Sequence, residues 1–225
     1  MKLRIAAIAA GAVALLAAFA PGAAASPRGT GAAAAPGLEG GQAIYAPTGV
    51  RCTLGFNVRK GGSYYFLTAG GCGQVGLTLY SDPGLTTELG TVEAVTNAGV
   101  GLARYVDPQV ERPGSVYLYP GSQDIVSAGS PAVGQRICRS SPVTHVQCGS
   151  VTAIDVTVNL PDGTVTGLAT STICAEPGDA PGAPYFSGTT AIGLEVTAQG
   201  DCSSGGTSYF QPIAPILDVF GAEIY

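Results

Sequence analysis

The segment Phe66-Leu-Thr-Ala-Gly-Gly-Cys72 ends a run of strand-like residues that begins at Leu54. Within that run, Lys60-Gly-Gly-Ser63 has the composition of a tight turn and separates two stretches rich in large apolar residues. The pattern predicts a β-hairpin that leads directly into the Gly-Gly-Cys sequence.

The chain on either side of this hairpin has the same β-rich character. Gly and Pro punctuate runs of Val, Thr, Tyr and Ile at intervals of about 8–12 residues, a spacing typical of an all-β barrel or sandwich. Residues Ile154, Val156, Val158 and Leu160 alternate with polar residues, which predicts a strand with one face turned inward.

One helix is expected near the end of the chain. Its apolar residues recur at helical spacing before a glycine that fits a helix stop: Ile213, Ile216, Leu217 and Phe220, followed by Gly221. The sequence therefore predicts an all-β protein with a short C-terminal helix.

The first 25 residues have the composition of an export signal. Lys2 and Arg4 precede a long apolar run, and Ala23-Ala-Ala25 is a small-residue cleavage site. A membrane anchor is the alternative, but the run is short for a span and no charged stop follows it. Residues 26–37, rich in Ser, Pro, Gly and Ala, predict a flexible stub. We expect a secreted, extracellular protein that has no membrane association after signal cleavage.

The charge of the chain excludes several classes of partner. The formal net charge is −5, and removal of the signal with Lys2 and Arg4 makes it −7 (−5 − 2). The remaining Lys and Arg residues are scattered, whereas nucleic-acid binding needs clustered positive charge. Anionic membrane surfaces are disfavoured for the same reason. No phosphate-binding glycine loop or other cofactor motif is present, so we expect no cofactor.

The cysteines favour disulfides over a metal site. All six follow the predicted signal, and an even count in an exported chain is typical of disulfide bonding. Counting alone leaves 15 possible pairings. Zinc is the alternative, but the chain has no Cys-x₂-Cys pair and a single histidine, so we expect no metal.

Three segments together resemble the streptogrisin and α-lytic protease family of chymotrypsin-like bacterial serine proteases. Thr68-Ala-Gly-Gly-Cys72 is similar to the family's Thr-Ala-Ala/Gly-His-Cys. Asn97-Ala-Gly-Val-Gly-Leu-Ala-Arg-Tyr105 is similar to Asn-Asp-Tyr-Gly-Ile-Val-Arg-Tyr. Cys174-Ala-Glu-Pro-Gly-Asp-Ala-Pro-Gly-Ala-Pro184 is similar to Cys-Ala-Glu-Pro-Gly-Asp-Ser-Gly-Gly-Pro. The resemblance covers roughly residues 38–225.

The resemblance implies a specific architecture. It predicts two six-stranded antiparallel β-barrels, over residues 38–118 and 119–225, with the short helix at the end of the second. The implied disulfides are Cys52–Cys72, Cys138–Cys148 and Cys174–Cys202.

All three triad positions of the resembled family are substituted. Gly71 occupies the histidine position, Gly99 the aspartate position and Ala180 the serine position. Hydrolysis by such a triad needs a base within hydrogen-bond reach of the nucleophile. The sequence therefore predicts a protein with no catalytic residues. His145 and Ser187 are the remaining candidates for a base and a nucleophile. His145 lies in the loop that the implied Cys138–Cys148 disulfide closes, and the resemblance places this loop away from the triad.

Parts of the substrate-binding framework persist. Gly178 and Ala180 match the two backbone N–H donors of the oxyanion hole, although Pro181 and one additional residue reshape the loop. Asp179 matches a buried aspartate, for which Arg139 is the expected partner.

Four residues match the family's substrate-binding strand: Glu195, Val196, Thr197 and Ala198. The resemblance implies that this strand can still pair with the backbone of a peptide. Ala198 adds a methyl group at the pocket mouth, where the family has glycine. Glu195 lies at the pocket wall, where it either selects a basic side chain or is satisfied by neighbouring groups or solvent.

We therefore expect a secreted, catalytically inactive, monomeric homologue that binds a peptide, a protease inhibitor or a protease through the former active-site cleft. Two alternatives remain open. The chain is a serine-type endopeptidase with an unrecognised site, or it is a purely structural, protease-resistant secreted domain.

Overall fold

The computed structural model describes residues 38–107, 112–160, 163–179 and 181–225. The predicted export signal (1–25), the predicted stub (26–37) and Ala180 lie outside the described residues. The described residues belong to one compact unit.

The first sheet forms from the N-terminal half of this unit. Its strands are β1 (Ala43–Tyr45), β2 (Arg51–Thr53), β3 (Asn57–Lys60), β4 (Ser63–Ala69), β5 (Thr78–Tyr80), β6 (Glu88–Val95) and β7 (Val100–Tyr105). The order is β2-β1-β5-β6-β7-β4-β3, and every pair is antiparallel. A 3₁₀ turn, Gly70–Cys72, follows β4.

One bent strand closes this sheet. Between β2 and β3 the backbone remains hydrogen-bonded to β4. The Gly55 N–H donates to the Leu67 carbonyl at 2.6 Å, and the Leu67 N–H donates to the Phe56 carbonyl at 2.9 Å. β2 pairs with β1 at one end of the sheet and β3 with β4 at the other. Counted as one bent strand, β2 and β3 complete a six-stranded barrel, as predicted.

A short hairpin follows the first barrel. It consists of β8 (Ser115–Tyr117) and β9 (Ser122–Asp124), which pair antiparallel as a separate sheet. The boundary expected near residue 118 falls inside this hairpin and stays a prediction.

The second sheet is also closed. Its strands are β10 (Ser127–Ala128), β11 (Arg136–Ser141), β12 (His145–Leu160), β13 (Gly163–Ser171), β14 (Pro184–Ser187), β15 (Thr190–Gln199) and β16 (Thr207–Pro212). The order is β10-β15-β14-β11-β12-β13-β16, and β15 also pairs with β16. β11 to β16 thus make the second predicted six-stranded antiparallel barrel. The two-residue β10, which lies parallel to β15, is an addition that the sequence did not indicate.

The C-terminal helix α1 (Ile213–Phe220) is confirmed. It ends at Gly221, whose φ of 60° is the left-handed conformation that glycine adopts at helix ends. The four apolar residues predicted to share a face are buried. They join a core cluster that contains residues of both barrels, including Leu67 and Leu194. No helix in the described part of the chain is long and apolar enough to cross a membrane.

The inward face predicted for β12 is correct only in part. Val158 is buried, but Ile154 is 45% exposed. A register shift lies between Ala153 and Val156, where Asp155 has a positive φ of 55°. Such a bulge inserts an extra residue and turns the preceding side chains to the other face, which sequence alternation does not reveal.

The three predicted disulfides are confirmed. Cys52–Cys72 joins β2 to the 3₁₀ turn, and Cys138–Cys148 joins β11 to β12. Cys174–Cys202 ties the loop after β13 to the β15–β16 connection. No free cysteine occurs among the described residues.

Candidate functional site

Residues from both barrels line one cavity of about 350 Å³. Gly70 and Gly99 contribute from the first barrel, and Val196 and Thr197 of β15 from the second. Gly71 follows Gly70 in the 3₁₀ turn. One predicted triad position, Gly99, thus lines this cavity, and a second, Gly71, directly follows the lining residue Gly70. The cavity lies beside the predicted substrate strand.

Apolar groups surround the turn that carries Gly71. A Cβ placed on Gly71 would lie 3.3 Å from Cγ1 of Val50, and a Cβ on Gly70 would lie 2.8 Å from Cγ of Pro181. Pro181 is the residue that replaces a family glycine in the Cys174–Pro184 loop. Its ring therefore fills the space beside Gly70, the neighbour of the predicted histidine position.

A tight turn holds Gly99. The backbone N–H of Gly99 donates to the Thr96 carbonyl at 2.9 Å, and Thr96 N–H donates to Val100 at 2.8 Å. The φ of Gly99 is +75°, which disfavours a side chain, and no atom lies within 4 Å of the Cβ position. The sequence alone does not show this conformation, because it depends on how the turn before β7 closes.

The adjoining turn residue is packed into an apolar cluster. Ala98 is buried with Val158, Leu168 and Val196. This cluster joins the turn before β7 to β12, β13 and β15, so apolar contacts occupy the junction between the predicted aspartate position and the predicted substrate strand.

The loop after Cys174 is held from several sides. The Gly178 carbonyl accepts a hydrogen bond from the Arg51 side chain, and φ of Gly178 is +97°. Gly182 N–H donates to the Glu195 carbonyl at 3.0 Å, and Glu195 N–H donates to Ala183 at 2.9 Å. Ala180, the predicted serine position and the second predicted oxyanion-hole residue, lies outside the described residues.

The two remaining catalytic candidates lie elsewhere. The His145 ring stacks on Tyr119 with centroids 4.5 Å apart. The Ser187 hydroxyl donates to the Arg136 carbonyl at 3.0 Å. Within the described residues, no hydrogen bond joins His145 to a serine hydroxyl, and neither residue lines the cavity beside Gly99.

Comparison with known proteins places these features in a family. No family model matches the chain. The chain is 45% identical over 176 residues to serine protease 2 of Streptomyces fradiae, covering 76% of this chain and 100% of the relative. It is 48% identical over 193 residues to streptogrisin-D of Streptomyces griseus, covering 84% of this chain and 48% of the relative.

The chain belongs to the streptogrisin family of chymotrypsin-like serine proteases. Among solved structures, it is similar to a glutamic acid specific serine protease (37% identity, TM-score 0.77), covering 84% of this chain and 100% of that one. It is also similar to the α-lytic protease homologue N4 (40% identity, TM-score 0.76), with the same coverage. The chain spans about half the length of streptogrisin-D.

In this streptogrisin-family fold, one buried arginine links the substrate strand to the Cys174–Pro184 loop. Arg139 Nη2 lies 2.9 Å from Asp179 Oδ2, and Arg139 Nη1 lies 2.7 Å from Glu195 Oε2. The three side chains are 0%, 1% and 4% exposed. The predicted Arg139–Asp179 pair is confirmed. The bond to Glu195 agrees with the alternative in which neighbouring groups satisfy this acid, although the sequence did not identify Arg139 as its partner.

The two carboxylates respond differently to burial. Burial favours protonation of Asp179, but hydrogen bonds from Ser141, Glu176 N–H and Thr144 N–H, together with the Arg139 charge, hold its pKa below the usual value. Burial raises the pKa of Glu195 to about 7, and the Arg139 charge only partly offsets this rise. Burial therefore makes Glu195 a weaker acid than Asp179, whose pKa is lowered.

Proposed function

We propose that this streptogrisin-family chain is an exported, catalytically inactive protein that binds a peptide or protein through the former active-site cleft. One observation carries the proposal: in the three motifs that resemble the family's, Gly71, Gly99 and Ala180 match the positions of the base, the orienting carboxylate and the nucleophile. None of these side chains can accept a proton or attack a carbonyl group.

The size of the expected loss favours inactivity over a weakened enzyme. Removing the Ser-His-Asp machinery costs on the order of 10⁶ in turnover, and only about 10³–10⁴ over water is left from the oxyanion hole and binding. The positions of His145 and Ser187 support no replacement pair, since each makes its contacts away from the cavity beside Gly99.

The covalent structure supports export. Three disulfides join all six cysteines, and disulfides persist mainly in oxidising compartments. The predicted signal, residues 1–25, is consistent with the same route.

The geometry of β15 supports peptide binding. Its pairing with β14 extends only to Leu194, and no described strand pairs with that edge from Val196 onward. The edge runs between two cavities of about 350 and 320 Å³, both lined by Val196 and Thr197. A free strand edge flanked by pockets is the arrangement with which extended peptides pair.

Selection of peptides from a random displayed library, followed by calorimetry on those recovered, tests the binding. We expect Ala198→Trp, which fills the cavity beside the β15 edge, to weaken binding at least about tenfold. The matched variant Ala132→Trp, in an exposed loop, should bind like the unmodified protein. Equal weakening by both variants, or peptide cleavage during binding, would contradict the proposal.

A further inference from the structure

A groove of about 350 Å³ lies where the turn before β7, strand β13 and helix α1 meet. This α1 groove is lined by Val95 and Thr96 before β7, by Thr166 of β13, and by Pro215 and Val219 of α1. None of the described residues of the substrate strand β15 lines it. The α1 groove is therefore a different site from the former active-site cleft.

The walls of the α1 groove carry apolar side chains that the fold leaves uncovered. Val219 is 68% exposed and Val95 is 43% exposed. Val219 does not belong to the four apolar residues of α1 that are buried in the core. Exposed apolar side chains that line one concavity are typical of a binding surface, whereas scattered ones are common on any protein. Val219 is therefore available to a ligand.

A polar pair in the α1 groove leaves one donor group open. The Thr96 hydroxyl accepts from Val100 N–H at 3.2 Å and donates to Gln211 Oε1 at 3.1 Å. This bond orients the Gln211 amide, whose Nε2 donates to no residue that the structure describes. Gln211 is half-buried and lines the groove. A ligand oxygen can therefore accept a hydrogen bond from Nε2 in place of water.

Charge selects an uncharged ligand. None of the described lining residues of the α1 groove carries a charge. An anion would lose hydration without gaining a cationic partner, in a chain whose formal net charge is −5. A cation would meet the N–H donors of Gln211 and no carboxylate among these lining residues. A neutral molecule with an acceptor oxygen and an aliphatic chain matches both the open donor and the apolar walls.

We propose that the α1 groove is a second ligand site, which binds an uncharged aliphatic carbonyl compound such as an ester or an amide. The carbonyl oxygen accepts from Gln211 Nε2, and the alkyl chain packs against Val95 and Val219. The volume of the groove is within the range of small-molecule sites. The inference goes beyond the proposed function, because it does not involve the edge of β15.

One wall separates the α1 groove from the cavity beside Gly99. The turn before β7 and β13 form this wall, since each contributes residues that line both spaces. Val219 and Thr166 line only the α1 groove, whereas Val196 lines only the cavity beside Gly99. The backbone amide signals of these three residues therefore report which of the two spaces a ligand enters.

Calorimetry and amide chemical shifts with N,N-dimethylhexanamide test the site. This probe has a carbonyl acceptor and no donor. We expect a dissociation constant on the order of 1 mM, with hexanoate and hexylammonium at least about tenfold weaker. The amide signals of Thr166 and Val219 should shift and that of Val196 should not. Equal binding of either charged probe, or shifts at Val196 alone, would overturn the proposal.

Two variants separate the polar contact from the apolar one. Gln211→Glu keeps an acceptor for the Thr96 hydroxyl but removes the open donors, so the affinity should fall about tenfold. Val219→Asp places a charge against the alkyl chain and should cause a similar loss. Val133→Asp, at a loop residue of comparable exposure (63%), should bind the probe like the unmodified protein. If Gln211→Glu does not fold, the comparison of Val219→Asp with Val133→Asp decides, and equal affinities of these two would overturn the proposal.

A second copy of the chain is the alternative occupant of the α1 groove. Sedimentation velocity at 1 and 100 µM distinguishes it, and we expect a monomer at both concentrations. A dimer that Val219→Asp dissociates, without binding of the probe, would assign the groove to self-association and overturn the proposal. Peptides that bind the former cleft should bind Val219→Asp unchanged, so a failure of this inference is distinguishable from a failure of the proposed function.

Discussion

Restoring the three catalytic side chains should not restore a protease. The variant combines Gly71→His, Gly99→Asp and Ala180→Ser, which supplies base, orienting carboxylate and nucleophile at the family's positions. Residue 71 accepts a side chain at modest cost, because its Cβ would lie 3.3 Å from the Val50 methyl Cγ1, which shifts easily at the surface.

The difficulty lies at residue 99. Its φ of +75° costs a non-glycine residue on the order of 1–3 kcal/mol. The turn cannot relax freely, since hydrogen bonds from Gly99 and Thr96 N–H close it and Ala98 is packed with Val196. A carboxylate placed there points into open space. Loss of the orienting carboxylate costs about 10⁴ in turnover in Ser-His-Asp enzymes, so the restored aspartate should contribute little.

The assay compares the triple variant with the double variant Gly71→His/Ala180→Ser. We expect their kcat/KM values on peptide p-nitroanilides to differ by less than about tenfold. We also expect the triple variant to have a lower melting temperature, because the backbone strain at residue 99 is added. A triple variant more than about 10³-fold faster than the double variant would refute the reasoning, since it would show that the turn already presents an aspartate correctly.

Two further predictions concern stability. The pKa of Glu195, raised from 4.5 to about 7, means that the folded state binds more protons than the unfolded state between these pH values. The free energy of unfolding should therefore decrease as the pH rises from 4.5 to 7, by on the order of 3 kcal/mol from this group. Urea unfolding should show a weaker pH dependence for Glu195→Gln than for the unmodified protein. An equal pH dependence of the two proteins would contradict the raised pKa of Glu195. Replacing Cys174 and Cys202 by Ala, which opens a loop of 28 residues, should cost about 3.6 kcal/mol in the chain-entropy account, against about 2.7 kcal/mol for the 10-residue loop of Cys138 and Cys148. Urea unfolding of the two double variants measures both losses. A larger loss of stability in the Cys138/Cys148 variant than in the Cys174/Cys202 variant would contradict the prediction.

Much of the fold was predictable from local patterns and long motifs. The helix at Ile213–Phe220 and the hairpin before Gly70 follow from apolar periodicity and turn composition. The disulfides and the two barrels followed from the family resemblance, because six cysteines alone leave the pairing open.

The features that were missed depend on tertiary context. The bulge at Asp155 and the positive φ of Gly99 are backbone responses to packing and loop closure, which residue types do not determine. The bond from Arg139 to Glu195 joins residues 56 positions apart in sequence. The only available signal was an acid on a strand near the predicted Arg139–Asp179 pair. Using that signal required the register that relates β11 to β15 through β14.

Reaction with a fluorophosphonate probe is the measurement that most directly tests the central claim. The probe labels any serine activated by a neighbouring base, whichever substrate the site accepts. We expect no labelling of the folded protein above that of a heat-denatured sample, with serine protease 2 of Streptomyces fradiae as the positive control. Stoichiometric labelling of one serine, lost on denaturation and on replacement of that serine or of His145, would contradict the account.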